Sequence, residues 1–565
     1  MSAVRTRPLP LPRFLVIAVC AGFAGLGCAH KPAPAPVPPL PRAVFAHYLD
    51  GKLSGYGGDW EAAADALAAS AAAAPDQPMI AVELARAQMK AKRAAAAVAT
   101  LAAARKRWPD HPQVWLASGD LLAAGDPAEA TRAYLRAIQL APDDERAYLG
   151  LAKLQQPEAA EATLRILIAH VPASVDGHYR LAVRLAMRGE LASSTRELRA
   201  VLERDPDHID ARLDLSRALR RQGHLDQAIV ETRSAFDRSG QALDIAEELF
   251  DLLCEADDRS GAIDLLTLLD DDHSDAEALA VIARLDRGLG RLAEARALAA
   301  RITMIDRDAG ALSLAETELA AANRRAVTAA LATIDGDGKL APEARRLTAA
   351  AALAADDPAA ALTAIRSAGP PEALDAALLA AYALADLGRL AEAREVLAPF
   401  GNAPDGSDRD AAQLARARLA ERAGDAPGAL AILEPLIRAR PALVSALNLA
   451  GYLLADTGQR LADAERYLRQ AREQSPGDPA ILDSWGWLLL RRGQPRAAVR
   501  TLDRAARYAP LEPEILVHLA AAWAGDGAPR TAAETLDRAA SLAPTRAIQR
   551  RIAALRQTLP APAGR

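Results

Sequence analysis

Small and apolar residues recur along this chain with a period close to 34 residues, and prolines mark the ends of the repeats. Pro75, Pro109, Pro142, Pro172 and Pro206 are 34, 33, 30 and 34 residues apart, and a second proline series at residues 441, 476, 510 and 544 has intervals of 35, 34 and 34. A proline disfavours helical geometry in the residue before it. The pattern therefore predicts consecutive pairs of helices of about 13 residues, each pair closed by a proline.

Five small or apolar positions keep fixed distances to the later prolines. Before residue 510 they are Gly486, Gly493, Ala498, Leu502 and Ala505, and before residue 544 they are Ala520, Gly527, Ala532, Leu536 and Ala539. Small residues let paired helices approach closely, and Gly suits the turn between them. The arrangement resembles the tetratricopeptide repeat. That resemblance implies an all-α fold, an α-solenoid of about fifteen stacked helix-turn-helix repeats, in which each repeat buries its apolar face on its neighbours.

The repeat register divides the chain into an N-terminal array over residues 44–308, degenerate repeats over 309–373 and a C-terminal array over 374–546. A capping helix and tail follow over 547–565. In the degenerate stretch the Gly and Pro marks partly drop out, although Ala-rich segments keep helical character. The short interval between prolines 142 and 172 predicts a clipped helix or turn there. The predicted repeat starts are Val44, Pro78, His111, Glu145, Val175, Ile209, Leu243, Ala276, Leu374, Arg409, Val444, Pro479 and Pro513.

The first 28 residues have the features of a targeting signal. Three arginines precede an uncharged apolar stretch that ends in Gly-Leu-Gly before Cys28. A basic start and a short apolar run are typical of a secretory signal peptide, and the run is shorter than the ~20 residues needed to cross a bilayer. Residues 25–28 resemble the lipobox of bacterial lipoproteins, which implies removal of residues 1–27 and lipid attachment at Cys28. Residues 28–43 would then be a Pro-rich tether. Cleavage after Ala29 and an uncleaved anchor are the alternatives.

Composition and charge narrow the class of partner. Hydrophobic residues make up 51% of the chain but aromatic residues only 4%, which suits closely packed helices better than large globular cores. The formal net charge is −5, so no overall attraction to nucleic acid is expected. Of the three cysteines, Cys20 would leave with the signal and Cys28 would carry lipid. Cys254 stands alone in an apolar run and is expected to be a small buried hydrophobe.

The sequence offers little chemistry of its own. It contains no GxxxxGK phosphate loop and no HExxH motif, and its nine His residues include no pair four residues apart. We therefore expect no catalytic activity, no cofactor and no bound metal. The acidic run at residues 270–275 is interpreted as a solvated turn that also caps the next helix, since it lacks the Gly and terminal Glu of a calcium loop.

The sequence supports the binding of protein partners better than it supports catalysis. In the family that the repeats resemble, the first helix of each repeat lines a concave face, and aromatic and Arg residues there are frequent binding hot spots. Trp485 falls at a core position and is expected to pack between helices. The candidate partner-binding residues are Tyr48, Tyr56, Trp115, Tyr179, Arg217, Arg220, Arg221, Asn448, Tyr452, Asp483, Trp487 and Arg491. Tyr452 and Trp487 could instead fill gaps between repeats, and Arg220 with Arg221 could form a solvated helix end.

The C-terminal third carries a further resemblance. Residues 447–461, 481–487 and 513–519 are similar to a set of bacterial envelope repeat proteins, many of them lipoproteins. The expectation is a monomeric scaffold lipoprotein of the outer membrane, facing the periplasm, that binds proteins through its concave face and the membrane through lipid on Cys28. It would act in envelope assembly, secretion or polysaccharide export, without nucleic acid. The alternative is a non-lipidated periplasmic regulatory or adaptor subunit of an envelope enzyme complex.

Overall fold

The computed structural model describes residues 41–559, apart from 368, 370, 372, 403–405, 543 and 544. The predicted signal peptide, the lipid site at Cys28 and the predicted tether up to residue 40 lie outside the described residues. Within the described ranges the regular elements are 31 α-helices and one short 3₁₀ turn, with no strand. None of these described helices has both the length and the apolar character needed to cross a bilayer. The predicted all-α solenoid of helix pairs is confirmed.

The described residues form two compact units that divide between Leu154 and Gln155. Unit 1 holds three helix pairs and one further helix of only 10 residues, in the stretch where a clipped helix was expected. The first helix begins at Arg42, two residues before the predicted start of the array. The helices of unit 1 are α1 Arg42–Tyr56, α2 Trp60–Ala73, α3 Pro78–Lys90, α4 Ala94–Arg107, α5 Pro112–Leu122, α6 Pro127–Leu140 and α7 Glu145–Leu154.

Unit 2 begins with a single helix and continues as eleven helix pairs and a final helix, counted over its described residues. Its helices are α8 Pro157–His170, α9 Val175–Met187, α10 Leu191–Arg204, α11 Ile209–Arg221, α12 Leu225–Arg238, α13 Leu243–Glu255, α14 Arg259–Asp272, α15 Ala276–Gly288, α16 Leu292–Ile305, α17 Arg307–Ala320, α18 Arg324–Leu331, α19 Ala341–Ala354, α20 Pro358–Arg366, α21 Leu374–Asp386, α22 Leu390–Leu397, α23 Gly406–Arg422, α24 Ala426–Ala439, α25 Val444–Thr457, α26 Leu461–Gln474, α27 Pro479–Arg491, α28 Pro495–Tyr508, α29 Pro513–Gly525, α30 Pro529–Ser541 and α31 Arg546–Thr558.

Small residues hold the two helices of a pair close together. A Cβ atom added to Gly486 in α27 would lie 2.5 Å from Cγ of Leu502 in α28, so only Gly fits at this crossing. In α11 the small polar Ser216 serves the same purpose, and its hydroxyl donates a hydrogen bond of 2.9 Å to the carbonyl of Ala228 in α12. The recurring small positions of the sequence are therefore points where helices touch.

Except between α5 and α6, the turn inside each described helix pair places at least one residue in the left-handed region of backbone conformation. Gly189, Gly223 and Gly388 take this position with φ of 80°, 81° and 76°. Between residues 309 and 373, Ala322 and Asp356 take it instead, with φ of 56° and 54°. The two helix pairs of that stretch thus keep the turn geometry without its glycine, which explains why the Gly mark is lost there.

Unit 2 also contains a contact between helices far apart in sequence, which we call the return contact. Asp257, between α13 and α14, accepts hydrogen bonds from Nη1 of Arg507 at 2.6 Å and from the Tyr508 hydroxyl at 3.0 Å. Arg259 donates to the carbonyl of Arg507 at 2.8 Å, and Tyr508 is buried in the core around α13 and α14. Six helix pairs, α15 to α26, lie between the two sides, so this contact adds to the nearest-neighbour packing of a solenoid.

The buried thiol belongs to the same region. Cys254, near the end of α13, is only 8% exposed, and burial raises the pKa of its thiol to about 12. It packs within the apolar cluster of α13 and α14, as the sequence predicted for a small buried hydrophobe.

Candidate functional site

Several of the predicted binding residues connect the first helix of one pair to the first helix of the next. In unit 2 the Tyr179 hydroxyl of α9 donates to Asp214 of α11 at 3.1 Å. Burial, together with that carboxylate, raises the pKa of Tyr179 to about 12. Arg217 of α11 forms a two-pronged ion pair with Glu248 of α13, at 3.0 and 2.8 Å. These side chains are already engaged within the chain.

The other two candidate arginines of α11 also make contacts within the chain. Arg220 donates from Nε to Glu255 of α13 at 2.5 Å, and exposed Arg221 reaches the carbonyl of Ala186 in α9 at 3.5 Å. The charge of Arg220 is therefore balanced inside the fold, which leaves little free positive charge for a partner.

The three candidates of unit 1 have different surroundings. Tyr48 is half-buried among apolar side chains of α2 and α3, and Tyr56 is 82% exposed with Lys52 over its ring. Trp115 donates from Nε1 to the carbonyl of Pro109 at 2.8 Å and packs beside Arg105. Because α5 begins at Pro112, the predicted start at His111 is one residue early. Trp115 therefore occupies the place that His178 has in α9, next to the preceding loop, and not the place of Tyr179.

Three of the five C-terminal candidates, Asn448, Tyr452 and Asp483, line one open depression, which we call the C-terminal groove. It has a volume of about 930 Å³, and its walls come from the first helices α25, α27 and α29, with α23 at one end. This volume lies in the upper part of the range of pockets that hold ligands, ~300–1,000 Å³. The polar residues that line it are Arg418, Glu421, Ser445, Asn448, Tyr452, Ser475, Asp478, Asp483, Ser484, Glu512 and Glu514.

A buried hydrogen-bond network joins the groove wall to the final helix. Arg551 of α31 donates to Glu514 at 2.5 Å and to Nε2 of His518 at 2.6 Å. An Arg side chain cannot accept a hydrogen bond, so the proton of the neutral ring is on Nδ1 of His518. Nδ1 donates to Asp483 at 2.8 Å, and the Tyr452 hydroxyl donates to Glu514 at 3.3 Å. Burial and the Glu514 carboxylate raise the pKa of Tyr452.

Two tryptophans of α27 were predicted to have opposite roles, and the structure gives them similar burial. Trp487 is half-buried, stacks on His518 with ring centres 4.3 Å apart and donates from Nε1 to Asp456 at 3.1 Å. Trp485 is also half-buried. It packs against the apolar core around α25 and α26, as the sequence predicted, and carries the Arg472 guanidinium over its ring at 4.2 Å.

Arg491 marks the far end of the same face. It is exposed, and its Nε donates to the carbonyl of Ala455 at the end of α25 at 3.2 Å, where the negative end of the helix dipole favours a cation. Its guanidinium lies 6.0 Å from the centre of the Trp487 ring. Arg491 therefore connects α27 to α25 just outside the groove.

The groove lining is strongly acidic. Five carboxylates and one guanidinium line it. Glu514 is paired with the cation of Arg551, whereas Asp483 accepts a hydrogen bond from the neutral His518 ring and keeps its charge. Within the part of the chain that the structure describes, Glu421 and Glu512 have no ion-pair partner. Burial raises the pKa of Glu421 to about 7. The groove thus holds carboxylates that remain costly to ionise.

The arrangement does not resemble a catalytic centre. Both ring nitrogens of His518 are used inside the protein, so the ring offers no lone pair to a substrate. Among the described residues no three His, Cys, Asp or Glu side chains are grouped so that they could hold a metal ion. What the groove can do is bind another chain.

Sequence reasoning did not select Glu421, Glu512, Glu514, His518 or Arg551. His518 lies 35 residues after Asp483, one repeat further along, and this spacing recurs between Tyr179 and Asp214. A search for polar pairs separated by one repeat could have found His518. Arg551 carries no such signal, because the final helix lies outside the repeat pattern.

The comparison with family models supports the same class of protein. Two models described as tetratricopeptide repeat match this chain, one over residues 57–119 and 185–235, the other over residues 414–479 and 484–547. The second pair of matches covers α25, α27 and α29, which line the C-terminal groove. These four stretches of the chain are tetratricopeptide repeats, whose fold is typical of non-enzymatic scaffolds for protein interaction.

Individual relatives are similar over limited lengths or at low identity. The TPR repeat-containing protein PA4667 of Pseudomonas aeruginosa is 39% identical over 90 residues, which is 16% of this chain and 15% of that protein. The APC/C hetero-tetramer Cut9-Hcn1 has a TM-score of 0.32 at 12% identity, covering 91% of this chain and 96% of that chain. YrrB, a TPR protein with an unusual peptide-binding site, has a TM-score of 0.27 at 16% identity, covering 33% and 98%.

Proposed function

We propose that this protein is a membrane-anchored scaffold of the cell envelope that binds protein partners through its C-terminal groove. The observation that carries the proposal is the groove itself. It crosses three consecutive first helices, and it contains carboxylates that nothing within the described residues neutralises. A surface of this kind suits an extended polypeptide, which can contact successive helices along its length. Its negative charge disfavours nucleic acid.

The groove can be tested with variants that fill it. Ala442 and Ala480 are exposed and line the groove, so Ala442→Trp and Ala480→Trp add bulk there without crowding the core. Ala462→Trp on α26 is a matched control, because Ala462 is exposed outside the groove. Partners captured from the native host by the unmodified chain should be lost with the two groove variants and kept with the control. Equal capture by all four chains would contradict the proposal.

The anchor is proposed from the sequence alone. A basic and apolar leader that ends before Cys28 supports lipid attachment there, and the absence of Asp after this Cys favours the outer membrane by analogy with bacterial lipoproteins. The protein would face the periplasm as a monomer, with the Pro-rich segment as a spacer. Its partners would serve envelope assembly, secretion or polysaccharide export.

Substitution of the acylated residue tests the anchor. Cys28→Ser should abolish labelling by a palmitate analogue and release the protein from the membrane fraction, since a lipid chain supplies the membrane affinity. Cys254→Ser is the matched control and should keep the label, because the Cys254 thiol is buried. Unchanged labelling of Cys28→Ser would contradict lipid attachment at Cys28, and a wild-type chain without label would favour a non-lipidated periplasmic adaptor subunit.

A further inference from the structure

The electrostatics of the C-terminal groove select among protein partners. Glu421 of α23 and Glu512, just before α29, line the same groove from opposite ends, and Asp478 lies between them at the start of α27. Glu421 interacts unfavourably with Glu514 and Asp456, and Glu512 with Glu514 and Asp483. The positive charges of Arg418 and Arg422 partly offset this repulsion at Glu421, but Arg422 is already paired with Asp386. The groove therefore has a surplus of negative charge that the fold does not use.

A second, independent feature lies in the groove wall. The Oδ1 atom of Asn448 in α25 is fully enclosed, and none of the described residues donates a hydrogen bond to it. A buried acceptor without a donor costs free energy, and most proteins satisfy such atoms. Asn448 lines the groove one helical turn before Tyr452. A hydrogen-bond donor from a bound chain is the partner that this oxygen lacks.

The floor of the groove is apolar. Besides the buried Leu449, Ile481 and Ile515, the apolar lining includes side chains that an occupant can reach: Leu443 and Val444 are half-buried, and Ala442 and Ala480 are exposed. An occupant must therefore place apolar groups along the floor, donate hydrogen bonds from its backbone or side chains, and bring positive charge to the rim. Phosphate groups and acidic peptides would instead be repelled by the rim.

We propose that the C-terminal groove binds an extended peptide segment of a partner protein that carries Lys or Arg side chains between apolar residues. The cationic side chains pair with Glu421 and Glu512, the apolar ones cover the floor, and a donor of the segment bonds Asn448. This inference rests on the proposed function, because it specifies the chemistry of the partner at the same groove. Arg is favoured over Lys where its planar guanidinium can meet a carboxylate with two hydrogen bonds.

Binding of defined peptides to the purified full chain tests the proposal. The probes are fluorescein-labelled 12-residue peptides of alternating Leu and Arg, Leu and Glu, and Leu and Ser, followed by fluorescence anisotropy. The Leu-Arg peptide should bind saturably and at least about tenfold more tightly than the other two. Preference for the Leu-Glu or Leu-Ser peptide would overturn the cationic assignment while leaving groove binding intact. If no peptide binds, the cationic assignment fails, and the groove-filling variants decide the proposed function separately.

Matched variants separate recognition in the groove from attraction to an acidic protein in general. Glu421→Gln/Glu512→Gln removes two groove charges, and Asp271→Asn/Asp272→Asn removes two from an exposed stretch of α14 outside the groove. The first should weaken Leu-Arg binding about tenfold or more, the second less than about twofold. Equal losses would show nonspecific attraction and overturn the proposal. A dimer in sedimentation velocity that only the groove variant disrupts would identify a second copy as the occupant and overturn it too.

Discussion

Trp487 connects the helices that form the walls of the C-terminal groove. Its ring stacks on His518 of α29 and its Nε1 bonds Asp456 of α25, so one side chain connects three consecutive first helices. Trp485, two residues earlier, contacts Arg472 of the second helix α26. Two positions separated by about 200° around a helix axis cannot share a face, which agrees with these different neighbours.

Replacement of the two tryptophans should destabilise the C-terminal repeats to different extents. Trp487→Ala loses a stacking contact and a hydrogen bond between repeats, and is expected to lower the free energy of unfolding by about 2–3 kcal/mol. Trp485→Ala should cost about 1–2 kcal/mol, because its ring is half-exposed. Urea denaturation followed by circular dichroism measures both. Trp487→Phe keeps the ring stacked on His518 and should recover most of the lost free energy of unfolding. An unchanged stability of Trp487→Ala would show that the contacts of Trp487 with His518 and Asp456 do not stabilise the fold.

Glu421 makes the stability of the C-terminal groove depend on pH. Its pKa is about 7 in the folded chain against an ordinary 4.5, because burial disfavours the charged form. The folded state therefore holds the proton more tightly than the unfolded state. The stabilisation that this provides is complete below pH 4.5 and is lost as the pH rises through 7. Arg418, Arg422, Asp456 and Glu514 face the same carboxyl and set the size of the shift.

Glu421→Gln should remove this dependence. At pH 8 the variant is expected to be more stable than the wild-type chain by about 1–3 kcal/mol, and at pH 4 the two should be equal. Chemical denaturation at the two pH values checks it. Asp271→Asn, at an exposed position of α14, should show no such difference. If the stability of Glu421→Gln depended on pH in the same way as that of the wild-type chain, the raised pKa of Glu421 would not be the cause of that dependence.

Residue-level prediction from the sequence was partial for a physical reason. Asn448, Tyr452 and Asp483 were selected because of their positions in the repeat, and the structure brings them to one groove. Arg217 was selected in the same way but is paired with Glu248, one repeat further along. A repeat register shows on which face a side chain lies. It does not show which of two neighbouring repeats supplies a counter-charge.

At the scale of elements, the left-handed turn position is the most regular local constraint. Ala322, between α17 and α18, adopts φ of 56° although its Cβ disfavours that conformation. Ala322→Gly should therefore raise the free energy of unfolding by about 0.5–1 kcal/mol. Ala321→Gly is the matched control, because Ala321 has φ of −76° and should lose stability or stay unchanged. Thermal unfolding measures the difference, and a destabilised Ala322→Gly would contradict this explanation of the degenerate stretch.

Elements were predictable where proline and glycine mark them. The predicted starts at Val175, Ile209 and Leu243 coincide with the first residues of α9, α11 and α13. Between residues 309 and 373 the spacing fits two helix pairs, but α18 and α20 have only 8 and 9 residues. Their ends could not be found from the sequence, because Ala-rich segments are helix formers over any length.

At the scale of the whole molecule, the return contact has no counterpart in the repeat pattern. About 250 residues lie between Asp257 and its two partners, Arg507 and Tyr508. A repeat pattern in which each repeat packs on its neighbours does not predict this contact. The carboxylate accepts two hydrogen bonds there, one from a cation. The contact should therefore fix the distance between α14 and α28 within unit 2.

Spin labels test this restraint. Ser260→Cys on α14 and Arg500→Cys on α28 are exposed sites, and the buried Cys254 thiol should not react. Pulsed electron resonance should give one narrow distance distribution. Adding Arg507→Ala/Tyr508→Phe should broaden it, because the two hydrogen bonds to Asp257 are lost. The same broad distribution with and without these substitutions would show that the return contact does not restrain unit 2.

The central claim is that the C-terminal groove is where a partner protein binds, and site-specific photo-crosslinking in the native host tests it most directly. A benzophenone amino acid is placed at Ala442 or Ala480 in the groove, or at Ala462 on the outer helix α26. The account predicts a crosslinked partner from the two groove positions, none from Ala462, and loss of the product when Glu421→Gln/Glu512→Gln is added. Crosslinks from Ala462 alone, or equally from all three positions, would contradict it.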